Sequence, residues 1–140
     1  MKPIVKVTLF SVLILVVIII GMGIYLYNKK PADLQNSKVD YKISATLLAT
    51  AFERDETAAT VKYVNKVLEV NGIVVSSMAN DQNVVTIALK TEKPLTFVIC
   101  TFQDLGGLRQ PGVGEEIVLR GVCSGTLIDV LMNNCVLVTE

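Results

Sequence analysis

Cys100, Cys123 and Cys135 are the three cysteines of the chain, and they lie far apart in sequence. As zinc ligands they are one short of the usual four, and the sequence has no histidine to complete the set. The absence of histidine also removes the commonest general base. A disulfide needs an oxidising compartment. Cys123 and Cys135 fall toward opposite ends of the last predicted hairpin. At ~3.3 Å per strand residue they are too far apart to bond. Cys100 with Cys135 stays open, and beside it stands the plainer reading of three buried thiols acting as small hydrophobes.

The remaining chemical signals are thin. Asp55-Glu56 is an acidic pair, but adjacent helical residues point about 100° apart, so it reads as a solvated helix face. Gly106, Gly107, Gly112 and Gly114 suggest a phosphate cradle, yet the run lacks a Lys-Ser/Thr ending and a following helix. HExxH, CxxC and GxSxG are all missing. The expectation is a non-enzyme with no cofactor and no metal.

Composition shows what would carry any site. The chain has 140 residues, 51% hydrophobic and 19% charged, room for one domain of ordinary size. Formal net charge is zero but unevenly spread. Residues 1–39 hold five lysines and Asp33 alone, a balance of +4, and residues 40–140 hold eight basic and twelve acidic side chains, a balance of −4. An acidic domain argues against nucleic acid, whose binding draws on phosphate neutralisation.

Val7 to Tyr27 is 21 residues without a charge. As a helix it spans roughly 30 Å, the hydrocarbon thickness of a bilayer. Lys2 and Lys6 precede it, Lys29 and Lys30 follow, and Tyr25 and Tyr27 sit at belt level. A cleaved signal peptide is the rival. Its candidate cleavage site, Gly21-Met22-Gly23, is followed by the large residues Ile24, Tyr25 and Leu26. The reading is an anchor at 1–27, a polar linker at 28–40 and a folded domain at 41–140. The flanking lysines nearly balance. The short basic tail is that of a signal-anchor, which places the domain outside the cytoplasm as a single-pass membrane protein.

The domain opens with a helix. Ser44 is its N-cap, and Leu48, Phe52, Ala59 and Tyr63 form one apolar face. That face either packs on its own domain or receives a partner. From Lys66 the period becomes two. Leu68, Val70, Gly72 and Val74 mark a first strand, with Gly72 predicting a bend or bulge. Asn80 to Asn83 is a turn. Val84–Lys90 and Leu95–Phe102 are the next strands, Gln103–Gly114 is a loop, and Glu116–Cys123 is the fourth strand. Ser124-Gly125 turns into a last strand to Val138, interrupted at Asn133-Asn134. This is a mainly β domain, a five-stranded OB-type Greek-key barrel preceded by an α-helix, with an N-terminal transmembrane helix. A β-sandwich is the alternative. In an OB barrel the third and fifth strands are neighbours, which is what keeps Cys100 with Cys135 open.

OB domains bind ligands on strands two and three. Phe102 shares parity with Val98 and Cys100, an inward row. Phe97, Ile99 and Thr101 then face outward, beside Thr86, Ala88 and Lys90. The candidate ligand-binding residues are Thr86, Ala88, Lys90, Phe97 and Ile99. One aromatic and one lysine make a poor platform for stacked bases. A protein, peptide or glycan is the expected ligand, with single-stranded nucleic acid as the alternative.

Several stretches together resemble the tRNA_anti-like family of OB-fold proteins. They are Ile43-Ser44-Ala45 with Leu48; Phe52 to Glu56 with Ala59 and Tyr63; Lys66 to Gly72; Val98 to Phe102; and Gly121 to Gly125 with Asp129-Val130 and Cys135 to Leu137. They run over roughly residues 41–138. The resemblance implies small bacterial proteins with an N-terminal anchor or signal and an OB fold preceded by a helix. The family name implies nucleic-acid binding. It supplies no catalytic residues.

The full-length chain is expected to stay with membranes after carbonate extraction. Recovery in the soluble fraction would rule out the anchor, and a C-terminal reporter active only in the cytoplasm would reverse the orientation.

Overall fold

One strand has to serve two neighbours for so short a chain to close a barrel, and Gly72 sits at the changeover. A computed structural model of the protein describes residues 2–27 and 34–138. They form α1 (Pro3–Tyr27), β1 (Tyr41–Ser44), α2 (Ala45–Arg54), α3 (Glu56–Tyr63), β2 (Val67–Ala79), β3 (Val85–Leu89), β4 (Val98–Phe102), β5 (Glu116–Thr126) and β6 (Val130–Leu137). Residues 1–31 and 32–140 are separate compact units.

The first unit is α1, with 25 residues and a mean hydropathy of 3.0 over its most apolar window. It is long and apolar enough to cross a membrane. All its described residues are exposed, so it is no core helix. Its two hydroxyls bond back to its own carbonyls, Thr8 to Ile4 and Val5 and Ser11 to Thr8. That removes much of the cost of placing them in hydrocarbon.

In the second unit, Val67 to Ile73 of β2 pair with β5, and Val74 to Ala79 pair with β3. A register shift between Val74 and Ser76 adds the bulge that turns the strand. A Cβ on Gly72 would lie 3.1 Å from the Ala45 Cβ and 3.3 Å from Leu89, so the missing side chain lets α2 and β3 close on the bend. The remaining pairings run β3–β4 antiparallel, β4–β6 parallel and β6–β5 antiparallel, returning to β2. This order makes a closed five-stranded barrel of the OB type, not a sandwich.

Inward residues alternate along each strand. Leu68, Val70, Val74, Ile87, Leu89, Val98, Cys100, Phe102, Leu119, Cys123 and Met132 are fully enclosed. The helix face packs on this core: Leu48, Phe52, Ala59 and Tyr63 are all buried with it. The helix itself is broken in two. Asp55 ends α2 and caps α3, its carboxylate accepting the Ala58 N–H at 3.0 Å. Aspartate is among the strongest N-caps, so its local bonding outcompetes a continuous helix.

Three boundaries differ from expectation. Tyr41–Ser44 forms a parallel edge strand against Leu68 to Asn71. Residues 34–40, expected within the linker, are packed: Leu34 is buried, and the Asp40 carboxylate accepts the Val67 N–H at 2.9 Å. The rest of that expected linker, residues 28–33, lies outside the described residues. The last hairpin turns at Leu127 to Asp129, not at Ser124-Gly125, which is a bulge in β5. Cys123 therefore lies opposite Met132 rather than at the hairpin's end. Asn133-Asn134 is the expected irregularity, a bulge in β6 with Asn134 at φ 52°, a left-handed state asparagine tolerates.

That second bulge turns Cys135 inward against Gly121. A Cβ there would come within 2.6 Å of the Cys135 sulfur and 3.2 Å of the Asn133 carbonyl oxygen. Gly121→Ala is expected to destabilise the domain by about 1–3 kcal/mol through overpacking. In a denaturant double-mutant cycle, adding Cys135→Ala should restore part of that loss. Additive losses would show that the contact is not the cause.

The loop after β4 is held by Glu115. Its carboxylate accepts the Gly112 N–H at 3.0 Å and pairs with Arg109 at 2.9 Å. Gly112 first, then Arg109, hold its carboxyl below the ordinary value. A lowered folded value gives stability that is present above the unfolded value and lost as pH falls through the folded one. Glu115→Gln should flatten the acid side of the stability–pH curve and leave its alkaline side unchanged. An unchanged acid side would remove Glu115 from the titrating groups.

Candidate ligand-binding face

The outer surface of β3 and β4 is built by alternation. Val85, Ile87 and Leu89 point in, so Thr86 and Ala88 point out. On β4, Val98, Cys100 and Phe102 point in, and Ile99 and Thr101 point out. Register sets Thr86 beside Thr101 and Ala88 beside Ile99. Four of these outward residues were predicted together and do share one face. Ala88 is only 8% exposed, so its neighbours rather than its methyl form the surface.

Lys90 and Phe97 lie just beyond the paired ends. Lys90 is exposed, and its N–H donates to the Ile73 carbonyl at 2.8 Å. Phe97 is half-buried at the start of β4. Its N–H donates to the Asp129 carboxylate at 2.8 Å, and its carbonyl accepts the Val130 N–H at 3.0 Å. Asp129 thereby ties the loop before β4 to the turn before β6.

Sequence periodicity missed the flanks of the face. Leu131 lies beside Ile99 because β4 and β6 are parallel neighbours. Ser76 and Met78 lie beside Ala88 and Thr86 after the β2 bulge has reset their parity. Neither pairing has a local signal: one joins strands 32 residues apart in the chain, and the other follows a one-residue insertion.

The face is thus a row of hydroxyls and apolar side chains with Lys90 at one end. Five of the domain's other basic side chains are engaged elsewhere. Lys42 and Arg120 both pair with Glu69, Lys93 pairs with Glu53, and Arg109 pairs with Glu115. Lys62 sits over the rings of Tyr41 and Tyr63, at 5.3 and 5.1 Å from their centroids. Two of the domain's clefts flank the face. One of about 520 Å3 reaches Lys90 from Ser44, Asn71 and Glu116, and one of about 280 Å3 lies between Phe52, Thr96 and Ile128.

The cysteines are enclosed and free. A hydrogen bond with the Cys135 thiol, then burial, push the Cys100 thiol well above its ordinary value. Burial also raises Cys123, partly offset by the Gly125 backbone. Such thiols are poor nucleophiles. Among the described residues no three histidine, cysteine or carboxylate side chains gather as a metal site.

No curated protein matches the chain. Among solved structures, the chain is similar to a proposed nucleic acid-binding lipoprotein from Klebsiella pneumoniae subsp. pneumoniae. The identity is 14% and the TM-score 0.53, over 69% of this chain and 91% of that one. At that identity the likeness shows the fold alone. The tRNA_anti-like family matches residues 1–136, spanning the apolar helix and nearly all of the barrel. By that match, and by the barrel it predicts, the chain belongs to the tRNA_anti-like family.

Proposed function

We propose that the protein is a non-catalytic, membrane-anchored binding module, displayed outside the cytoplasm, whose ligand lies across the outer face of β3 and β4. The ligand is a protein, peptide or glycan segment. The observation that carries this reading is the character of the face. Thr86, Thr101 and Ser76 offer hydroxyls, Ile99, Leu131, Met78 and Phe97 offer apolar area, and Lys90 is the cation at its edge. Hydroxyls and aliphatic surface suit an extended, weakly charged chain. A phosphate backbone calls for a continuous track of cations.

A second reading, a single-stranded nucleic-acid binder, is favoured by the family's name and by the description of the Klebsiella protein. It would use the same face, with Phe97 as its stacking ring.

A titration of the detergent-solubilised chain with short DNA and RNA at two salt concentrations separates the two. Binding at physiological salt is expected to be negligible. Micromolar affinity that falls steeply with salt and disappears in Phe97→Ala would establish the second reading instead.

A further inference from the structure

The cleft between Phe52, Thr96 and Ile128 combines an apolar floor with an acidic wall. Ala49 and Phe52 from α2 and Val130 from β6 line it and are buried. Leu127 and Ile128 line it from the turn between β5 and β6, and they are 87% and 78% exposed. Large aliphatic side chains so far out of a core mark interaction surfaces when they gather. Glu53 and Glu56 line the same cleft from the junction of α2 and α3. The walls are fixed before any ligand arrives. The Leu127 N–H and the Thr126 hydroxyl both donate to the Asp129 carbonyl, and the Asp129 carboxylate accepts the Phe97 N–H. Lys93 crosses from the loop before β4 to pair with Glu53. A preformed cleft gives up little freedom on binding, so more of its contact energy counts toward affinity.

We propose that this cleft docks an extended segment of a partner protein in which a lysine or arginine stands beside an aliphatic side chain. Charge selects the occupant. Two carboxylates line the cleft against one ammonium, Lys93, and Glu53 already holds that ammonium. Glu56 has no ion pair among the described residues. Asp55 is spent on the Ala58 N–H, and Arg54 does not line the cleft. The partner's aliphatic side chain packs on Phe52, Leu127 and Ile128, and its cation meets Glu56. A phosphate-bearing ligand or an acidic peptide would set like charge against Glu56. At about 280 Å3 the cleft is smaller than the ~300–1,000 Å3 of ordinary small-molecule pockets, which suits side chains of a longer chain. It shares no lining residue with the β3–β4 face, so the inference is independent of the ligand there.

Phage-displayed random heptapeptides supply the probe. The full-length chain is held in phosphatidylcholine nanodiscs, and phage that bind empty discs are removed first. The expected result is enrichment of peptides that carry lysine or arginine within two residues of leucine, isoleucine, valine or methionine. An end-blocked synthetic copy of the most enriched peptide should bind the unaltered chain. Its affinity should fall about tenfold with Glu56→Gln, the loss expected when a charged hydrogen-bond partner is removed. It should fall by a similar factor with the pair Leu127→Ser and Ile128→Ser. All three sites are exposed, so these changes spare the core. Lys90→Ala should leave the affinity unchanged. Enrichment of no peptide, or of acidic or uncharged ones, overturns the proposal. So does a peptide that keeps its affinity in either cleft variant or loses it in Lys90→Ala. The last pattern would put the peptide on the β3–β4 face and leave the reading of that face intact.

Discussion

The fold depends on β2 changing partners in mid-course. Its first half is paired with β5 and its second half with β3, so one strand belongs to both sides of the barrel. Everything near the changeover serves that bend. Gly72 removes the side chain that would separate Ala45 from Leu89, and the bulge at the following positions turns the strand. The loop after β4 returns to the same point, where Val74 bonds both the Gly114 N–H and the Glu115 carbonyl. A closed barrel leaves no unpaired edges among its five strands. Its backbone polar groups are therefore satisfied around a small core.

Closure also decides where charge goes. Glu69 on β2 accepts Arg120 from β5 at 2.9 Å and lies 3.6 Å from Lys42 on β1. One partly enclosed carboxylate thus joins three strands, and Arg120 reaches further to the Gln35 carbonyl, fastening the segment that enters the barrel. A charge held in several hydrogen bonds is not available to a ligand. The outer face of β3 and β4 is the complement: short hydroxyls and aliphatic side chains, with Lys90 at the end. The electrostatic character of that surface follows from where the carboxylates of β2, α2 and the β4–β5 loop have drawn the cations.

The helices take the place of a plug at the barrel's side. Leu48, Phe52, Ala59 and Tyr63 enter the same core as the strands, which makes α2 and α3 part of the domain rather than an appendage. At roughly 25 cal/mol per Å² of apolar area, side chains of this size supply several kcal/mol, a large share of the stability of a domain this small.

Much of this was legible in residue order because it is periodic. The 3.6-residue spacing of the helix face, the alternation of Val98, Cys100 and Phe102, the uncharged run of α1 and the bend at Gly72 are local signals, and each marks what the tertiary structure contains. The outward set Thr86, Ala88, Ile99 and Thr101 followed from the same alternation. What periodicity missed was set by one local side-chain cap and by contacts distant in sequence. Asp55 splits the helix because its side chain finds a backbone N–H. Ser124-Gly125 is a bulge because β5 continues past it to meet β6. Leu131, Ser76 and Met78 join the face only through a parallel pairing and a register shift. Composition and spacing determined the alternation of inside and outside along each strand. Which strands lie side by side, and so which outward residues make a common surface, was decided by closure. Hydrogen-bond pairing between distant segments costs chain entropy that only the completed barrel repays.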